Sequence, residues 1–187
     1  RWFPVSSYLF LNGGKMKISK YFTLEEFVTS ETAMKCGFKE QYNPSPVVIK
    51  ELTYLAINAA DPIREYWGSY SPTCAYRCPR LNSHPNVKGA KNSDHLRGQA
   101  FDETFIKDGK NISREVFEWV LAGGLKSWSK IILEFPDSKG VPRWLHISSS
   151  EGKQDKTVLV AYKKMNLKTG KEETLYENYY TSKWFKK

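Results

Sequence analysis

Apolar residues recur at helical spacing through the first third of the chain. They then give way to short runs divided by turn residues, so helices should come first and strands after. The strongest helix opens at Ser45-Pro46, a capping hydroxyl followed by the residue best suited to a first helical position. Val48, Leu52, Leu55, Ala56 and Ala59 mark its buried face, and Ile63 and Trp67 continue that face to Gly68. Pro62 falls inside this pattern, lacks an amide hydrogen and crowds the preceding turn, which predicts one long, kinked helix. A shorter helix starts earlier, at the capping box Thr23-Leu24-Glu25-Glu26.

Beyond Gly68 the pattern predicts a short strand over residues 73–77, a long loop to 92, and a strand over residues 99–106. Ser113 is expected to cap a helix through Val116, Phe117 and Val120 that stops at Gly123-Gly124. Strands over 130–135 and 143–148 form a hairpin around Pro136-Asp137-Ser138-Lys139-Gly140, and a second hairpin, 158–162 with 174–179, turns over 166–171. This order predicts a single α+β domain, a mainly antiparallel sheet flanked by helices rather than a doubly wound parallel one. Residues 1–20, with a Gly13-Gly14 break, read as an N-terminal extension. Residues 21–150 read as the main body, and 151–187 as a basic hairpin of the same domain. The chain begins with Arg1, so an upstream piece or a start at Met16 both stay open.

A formal charge of +9 attracts polyanions: nucleic acid, anionic lipid or acidic envelope polymers. The lysines are scattered, with pairs such as Lys163-Lys164 and Lys186-Lys187 but no basic helix, so no nucleic-acid partner is expected. The stretch Tyr8-Leu9-Phe10-Leu11 is far short of the roughly 20 residues that span a bilayer. Cys36, Cys74 and Cys78 are odd in number, which predicts reduced, buried thiols rather than a disulfide framework or a zinc set.

Two of the three histidines have distinctive settings: Ser93-Asp94-His95-Leu96-Arg97-Gly98-Gln99-Ala100-Phe101-Asp102, and Trp144-Leu145-His146-Ile147-Ser148. Two imidazoles and a carboxylate can hold zinc and leave a fourth position open. Gly98 permits the tight turn that lets His95 and Asp102 converge, and His146 alternates with Leu145 and Ile147, facing away from them.

The pattern Ser-x-His-x-x-Gly-x-Ala-x-Asp, followed by Trp-x-His-x-Ser, resembles the M15 family of zinc D-Ala-D-Ala carboxypeptidases and phage cell-wall peptidases. The likeness extends to Tyr21-Phe22-Thr23-Leu24-Glu25-Glu26-Phe27, Tyr76-Arg77-Cys78-Pro79-Arg80-Leu81-Asn82 and Ile132-Leu133-Glu134-Phe135, in the order of the phage-like branch. It implies a hedgehog/DD-peptidase fold, one Zn2+ held by His95, Asp102 and His146, Arg77 steadying the substrate carbonyl or its oxyanion, and Ser93 helping to hold a substrate carboxylate. The implied partner is bacterial peptidoglycan or its stem peptides, and the implied place of action is the cell wall, reached from the periplasm, a virion or the host cytoplasm before lysis. A monomer is expected.

Many relatives carry an acid three positions before the last histidine; here that position is Arg143, which cannot take a proton. Glu134 is the expected base, provided the hairpin register pairs it with Trp144 or an even-numbered offset from it. Glu103 is the fallback, although alternation sends it away from Asp102. Blander readings stand beside these: an Arg77–Glu134 ion pair, Ser93 as a turn cap, His84 as a packed loop residue, and Trp144, Tyr179 and Tyr180 as hairpin packing. A zinc-retaining but inactive binding module of the hedgehog type is the alternative function.

Overall fold

The computed structural model describes residues 15–73 and 75–185. The Gly13-Gly14 break, the 8–11 apolar stretch, Cys74 and Lys186-Lys187 lie outside the described residues. Helix α1 (Leu24–Val28) begins where the capping box places it: the Glu26 carboxylate accepts from the Thr23 amide at 2.8 Å and from its hydroxyl at 3.0 Å. Helix α2 (Glu31–Lys35) is capped by Ser30, whose side chain accepts from the Ala33 amide.

The long helix starts at Pro46 with Ser45 accepting from the Val48 amide. It runs as α3 (Pro46–Leu55), a single wide turn over Ala56–Ala60, and α4 (Asp61–Trp67). In the wide turn the Asp61 amide reaches back to the Ala56 carbonyl, five residues away instead of four. The extra residue gives the Pro62 ring room, so the helix accommodates proline by widening just before it. Its apolar face carries Leu52, Leu55, Ala59 and Ile63, all fully buried, and such burial contributes about 1.5–3 kcal/mol for each leucine or isoleucine.

The remaining helices are α5 (Pro79–Ser83) and α6 (Ser113–Trp119). Ser113 is the first residue of α6 rather than its cap: its amide donates to Asn111 Oδ1, while its hydroxyl accepts from the Phe105 amide. The helix ends in another wide turn that reaches Gly123, which adopts φ 98°.

Five strands form the sheet, β1 (Ala100–Glu103), β4 (Lys130–Glu134), β5 (Trp144–Ser148), β6 (Thr157–Asn166) and β7 (Lys171–Asn178), in the order β1-β5-β4-β6-β7. All neighbours are antiparallel except β4 and β6, which run parallel. The molecule is thus an α+β domain with a mainly antiparallel sheet. The expected 99–106 strand divides into β1 and a two-residue strand, β2 (Ile106–Lys107), that turns back onto β3 (Lys110–Asn111). The expected 73–77 strand reduces to one bridge, Thr73 with Asp102, because the Tyr76 and Arg77 amides turn aside to the Phe27 and His95 carbonyls.

Alternation gives the sheet two unlike faces. Phe101, Ile131, Leu133, Leu145, Ile147, Val158 and Val160 pack into the core, joined by Phe22, Phe27 and Phe117. Asp102, Lys130, Ile132, Glu134, His146 and Ser148 occupy the other face. Of the described cysteines, Cys78 is buried and free. Cys36 is free but exposed, against the expectation of a buried thiol, because it ends the short α2 at the surface, 3.6 Å from His84 Nε2.

Candidate metal centre

Asp102 pairs directly with His146 across β1 and β5, and Ile132 pairs with His146 from the other side. His95 comes from a 3-10 turn, Asp94–Arg97, which Ser93 caps by accepting from the His95 amide at 3.4 Å. Gly98 closes that turn with φ 70°, against α3; a Cβ there would meet Leu52 Cγ at 2.8 Å and the Val48 carbonyl at 3.0 Å. Only glycine combines the left-handed backbone with so close an approach.

Three atoms converge. Asp102 Oδ1 lies 3.0 Å from His146 Nδ1 and 3.3 Å from His95 Nε2, and the two nitrogens are 3.1 Å apart. Ligands about 2.0–2.2 Å from a tetrahedral ion stand roughly 3.3–3.6 Å from one another, so the triangle is within a few tenths of an ångström of a metal's requirement.

The outward nitrogens decide what the inward ones can do. His95 Nδ1 faces the Ala75 carbonyl at 3.2 Å, and a carbonyl can only accept, so Nδ1 carries the hydrogen and Nε2 presents a lone pair. His146 Nε2 faces Ser148 Oγ at 2.9 Å, and that hydroxyl donates to Asp94 Oδ2, also at 2.9 Å. Ser148 therefore accepts from His146 Nε2–H, and His146 Nδ1 is left a lone pair. With both rings neutral, three acceptors meet with no donor among them, an arrangement that calls for a cation. His146 shows this demand: burial opposes its charge, yet the neighbouring Asp102 and Asp94 carboxylates push its ionisation up to about 9. Burial keeps His95 below the usual histidine range. Asp94, opposed by burial but held by His146, Lys130 and Ser148, stays far below the usual carboxylate range, as does Asp102 beside the histidines. The donor set fits a metal ion.

Asp94 and Ser148 were not assigned roles from sequence, although both lie inside the two histidine motifs. Their partners explain why: Lys130 Nζ, 2.8 Å from Asp94 Oδ2, arrives from β4, and Arg97 holds the other oxygen. Gln41 was also missed. Buried, it donates to the Val28 and Tyr76 carbonyls and accepts from the Cys78 amide, which clamps the segment carrying Arg77.

Glu134 pairs with Trp144, the register that sets its carboxylate on the face of His146. Burial pushes its ionisation up to about 7, with His146 and Arg77 pulling it down and Asp102 raising it. The next residue, Phe135, adopts φ 51°, uncommon for a bulky side chain, and turns the chain sharply out of β4. Glu103, the fallback, faces the core side and is 8% exposed. Arg77 pairs with Asp102 rather than with Glu134. Arg143 is exposed, and His84 packs its ring against Phe38.

All three converging residues, with Arg77, Ser93 and Glu134, line one cleft of about 1660 Å³. Its lining also takes in residues 86–90, Asn92, the β6–β7 hairpin and the loop between β4 and β5. Fold and site define a class: an α+β protein with a two-histidine, one-aspartate candidate metal centre on the open face of its sheet. A family model described as Peptidase M15 matches residues 20–128, more than half of the sequence, and the chain belongs to this peptidase family. The matched span carries His95 and Asp102 and ends before β4; Glu134 and His146 join them through strand pairing. No curated protein and no solved structure matches the chain.

Proposed function

We propose that this protein is a zinc-dependent peptidase that hydrolyses amide bonds within peptidoglycan stem peptides. The observation that carries the reading is the triangle of three lone-pair donors with a buried carboxylate, Glu134, on the sheet face of His146. A zinc ion held by His95, Asp102 and His146 would supply Lewis-acid polarisation of a carbonyl and acidification of water.

The chain's own groups do the rest. Glu134 takes a proton from the attacking water and returns it to the leaving amine, a duty suited to a carboxylate that lines the cleft with the cluster. Arg77 holds Asp102 in place and lends positive charge to the cleft, where charge grows on the carbonyl oxygen. Ser93, with its oxygen turned to the His95 amide, keeps a hydroxyl hydrogen for a substrate carboxylate. Family membership and the +9 charge both favour an anionic bacterial wall as substrate and place of action.

The test digests purified cell wall and a stem pentapeptide with the zinc-loaded protein beside Glu134→Gln. New amino groups from wall, absent in the variant, are expected. If neither substrate yields amino groups or free D-alanine, the hydrolase reading fails and the zinc-retaining binding module, which Arg143 keeps in view, replaces it.

A further inference from the structure

Hydrolysis as proposed above needs a hydrogen bond to the oxygen that becomes negative, and Arg77 gives Nη2 to Asp102. The C-terminal hairpin offers another donor. Glu134 pairs with Ala161 on β6, and Ala161 pairs with Tyr176 on β7, so the three stand in one row across the sheet, on the face of the metal centre. Neighbouring strands are about 4.8 Å apart, which puts the Tyr176 and Glu134 backbones about 10 Å apart. Only a methyl group stands between them, so the tyrosine can lean over Ala161 toward Glu134. Tyr176 lines the cleft together with Arg77, Asp102, Glu134 and His146 while 54% exposed, so its ring is open to a ligand.

We propose that Tyr176 donates its phenolic hydrogen bond to the reacting carbonyl oxygen of the substrate, making the β7 hairpin part of the catalytic cleft. The inference rests on the peptidase reading. As water attacks, the C–O bond forms, the carbonyl π pair moves to oxygen, and Glu134 receives the water's proton. Tyr176 O–H bonds to that oxygen without giving up its proton. When the C–N bond breaks, the amine leaves with the proton from Glu134. The phenol is suited to remain a donor at neutral pH: burial raises its ionisation, and the charges of Glu134 and Asp102 raise it further against Arg77.

Tyr176→Phe removes one oxygen from a half-exposed ring. With the zinc-loaded protein, kcat on a stem peptide should fall about 100-fold with KM changed less than threefold, the lower end of the range for an oxyanion donor. A phosphinate dipeptide, whose tetrahedral anion mimics the same oxygen, should bind the variant at least tenfold more weakly by calorimetry, at equal zinc content. Equal phosphinate affinity in the two proteins overturns the role of Tyr176, whatever the turnover. Weaker phosphinate binding in the variant with no hydrolysis by either protein supports Tyr176 as an oxyanion ligand and counts against the peptidase reading alone.

Discussion

Ser148 donates to Asp94 at 2.9 Å and, by doing so, accepts from His146. This one hydroxyl, on β5 two residues beyond the histidine, fixes which imidazole nitrogen faces the candidate metal centre. Ser148→Ala leaves His146 Nε2–H without its acceptor and frees the ring to adopt the other tautomer. Zinc affinity, measured by competition with a chromophoric chelator, should fall about 10- to 100-fold, as outer-shell losses typically do. An unchanged affinity would show that Ser148 does not set the tautomer.

Glu134→Gln should keep full zinc content and lose about 10²- to 10⁴-fold in kcat, the usual contribution of a general base. The base must be ionised, so the activity of the wild type should rise with pH on an acidic limb at or below pH 7. The limb moves down from about 7 because a bound cation favours the carboxylate. A variant that retains wild-type turnover removes Glu134 from the mechanism and leaves the metal centre standing.

Glu103 offers a test away from catalysis. It is buried on the core side, its Oε2 has no hydrogen-bond partner among the described residues, and burial pushes its ionisation up to about 8 against amides of Thr104 and Thr73, with Asp102 adding to the rise. Between an unfolded value near 4.5 and this folded value, the native state keeps a proton that the unfolded chain has released. Stability from this group is therefore complete below pH 4.5 and is lost as pH rises through 8. Glu103→Gln should match the wild type in denaturant unfolding at pH 4.5 and exceed it by on the order of a few kcal/mol at pH 8.5. A difference that does not change with pH would contradict the shift.

Gly98→Ala combines a left-handed backbone with a collision against Leu52 and the Val48 carbonyl. Destabilisation of about 2–4 kcal/mol is expected from conformational strain and overpacking together. The displaced turn carries His95, so zinc affinity should fall in parallel. A variant as stable as the wild type would mean that α3 yields to the turn.

Local chemistry made several elements legible in advance. Ser45-Pro46 and Thr23 through Glu26 start helices because a cap and an amide deficit act within one turn. The β4–β5 turn residues imply a hairpin, and parity restricts Glu134 to registers that share a face with His146. Other features depend on neighbours distant in sequence. Residues 73–77 carry strand-like composition, yet the Tyr76 and Arg77 amides are taken by Phe27 and His95. Ser113 resembles a cap but is drawn to the Phe105 amide. The wide turn before Pro62 answers a steric conflict whose resolution the residues alone do not specify.

The sequence by itself determined the α+β class, the hairpins and the residue types of the candidate metal centre, because periodicity, caps and donor chemistry are local. Tertiary structure decided what those residues do. Lone pairs point inward because Ala75 and the Ser148–Asp94 pair occupy the outward nitrogens. Arg77 belongs to Asp102 because the His95 carbonyl holds the Arg77 amide beside the cluster, and Tyr176 enters the cleft because β6 joins β4 in parallel. Each depends on a contact across many residues, where strand register and burial, rather than sequence spacing, set the distance.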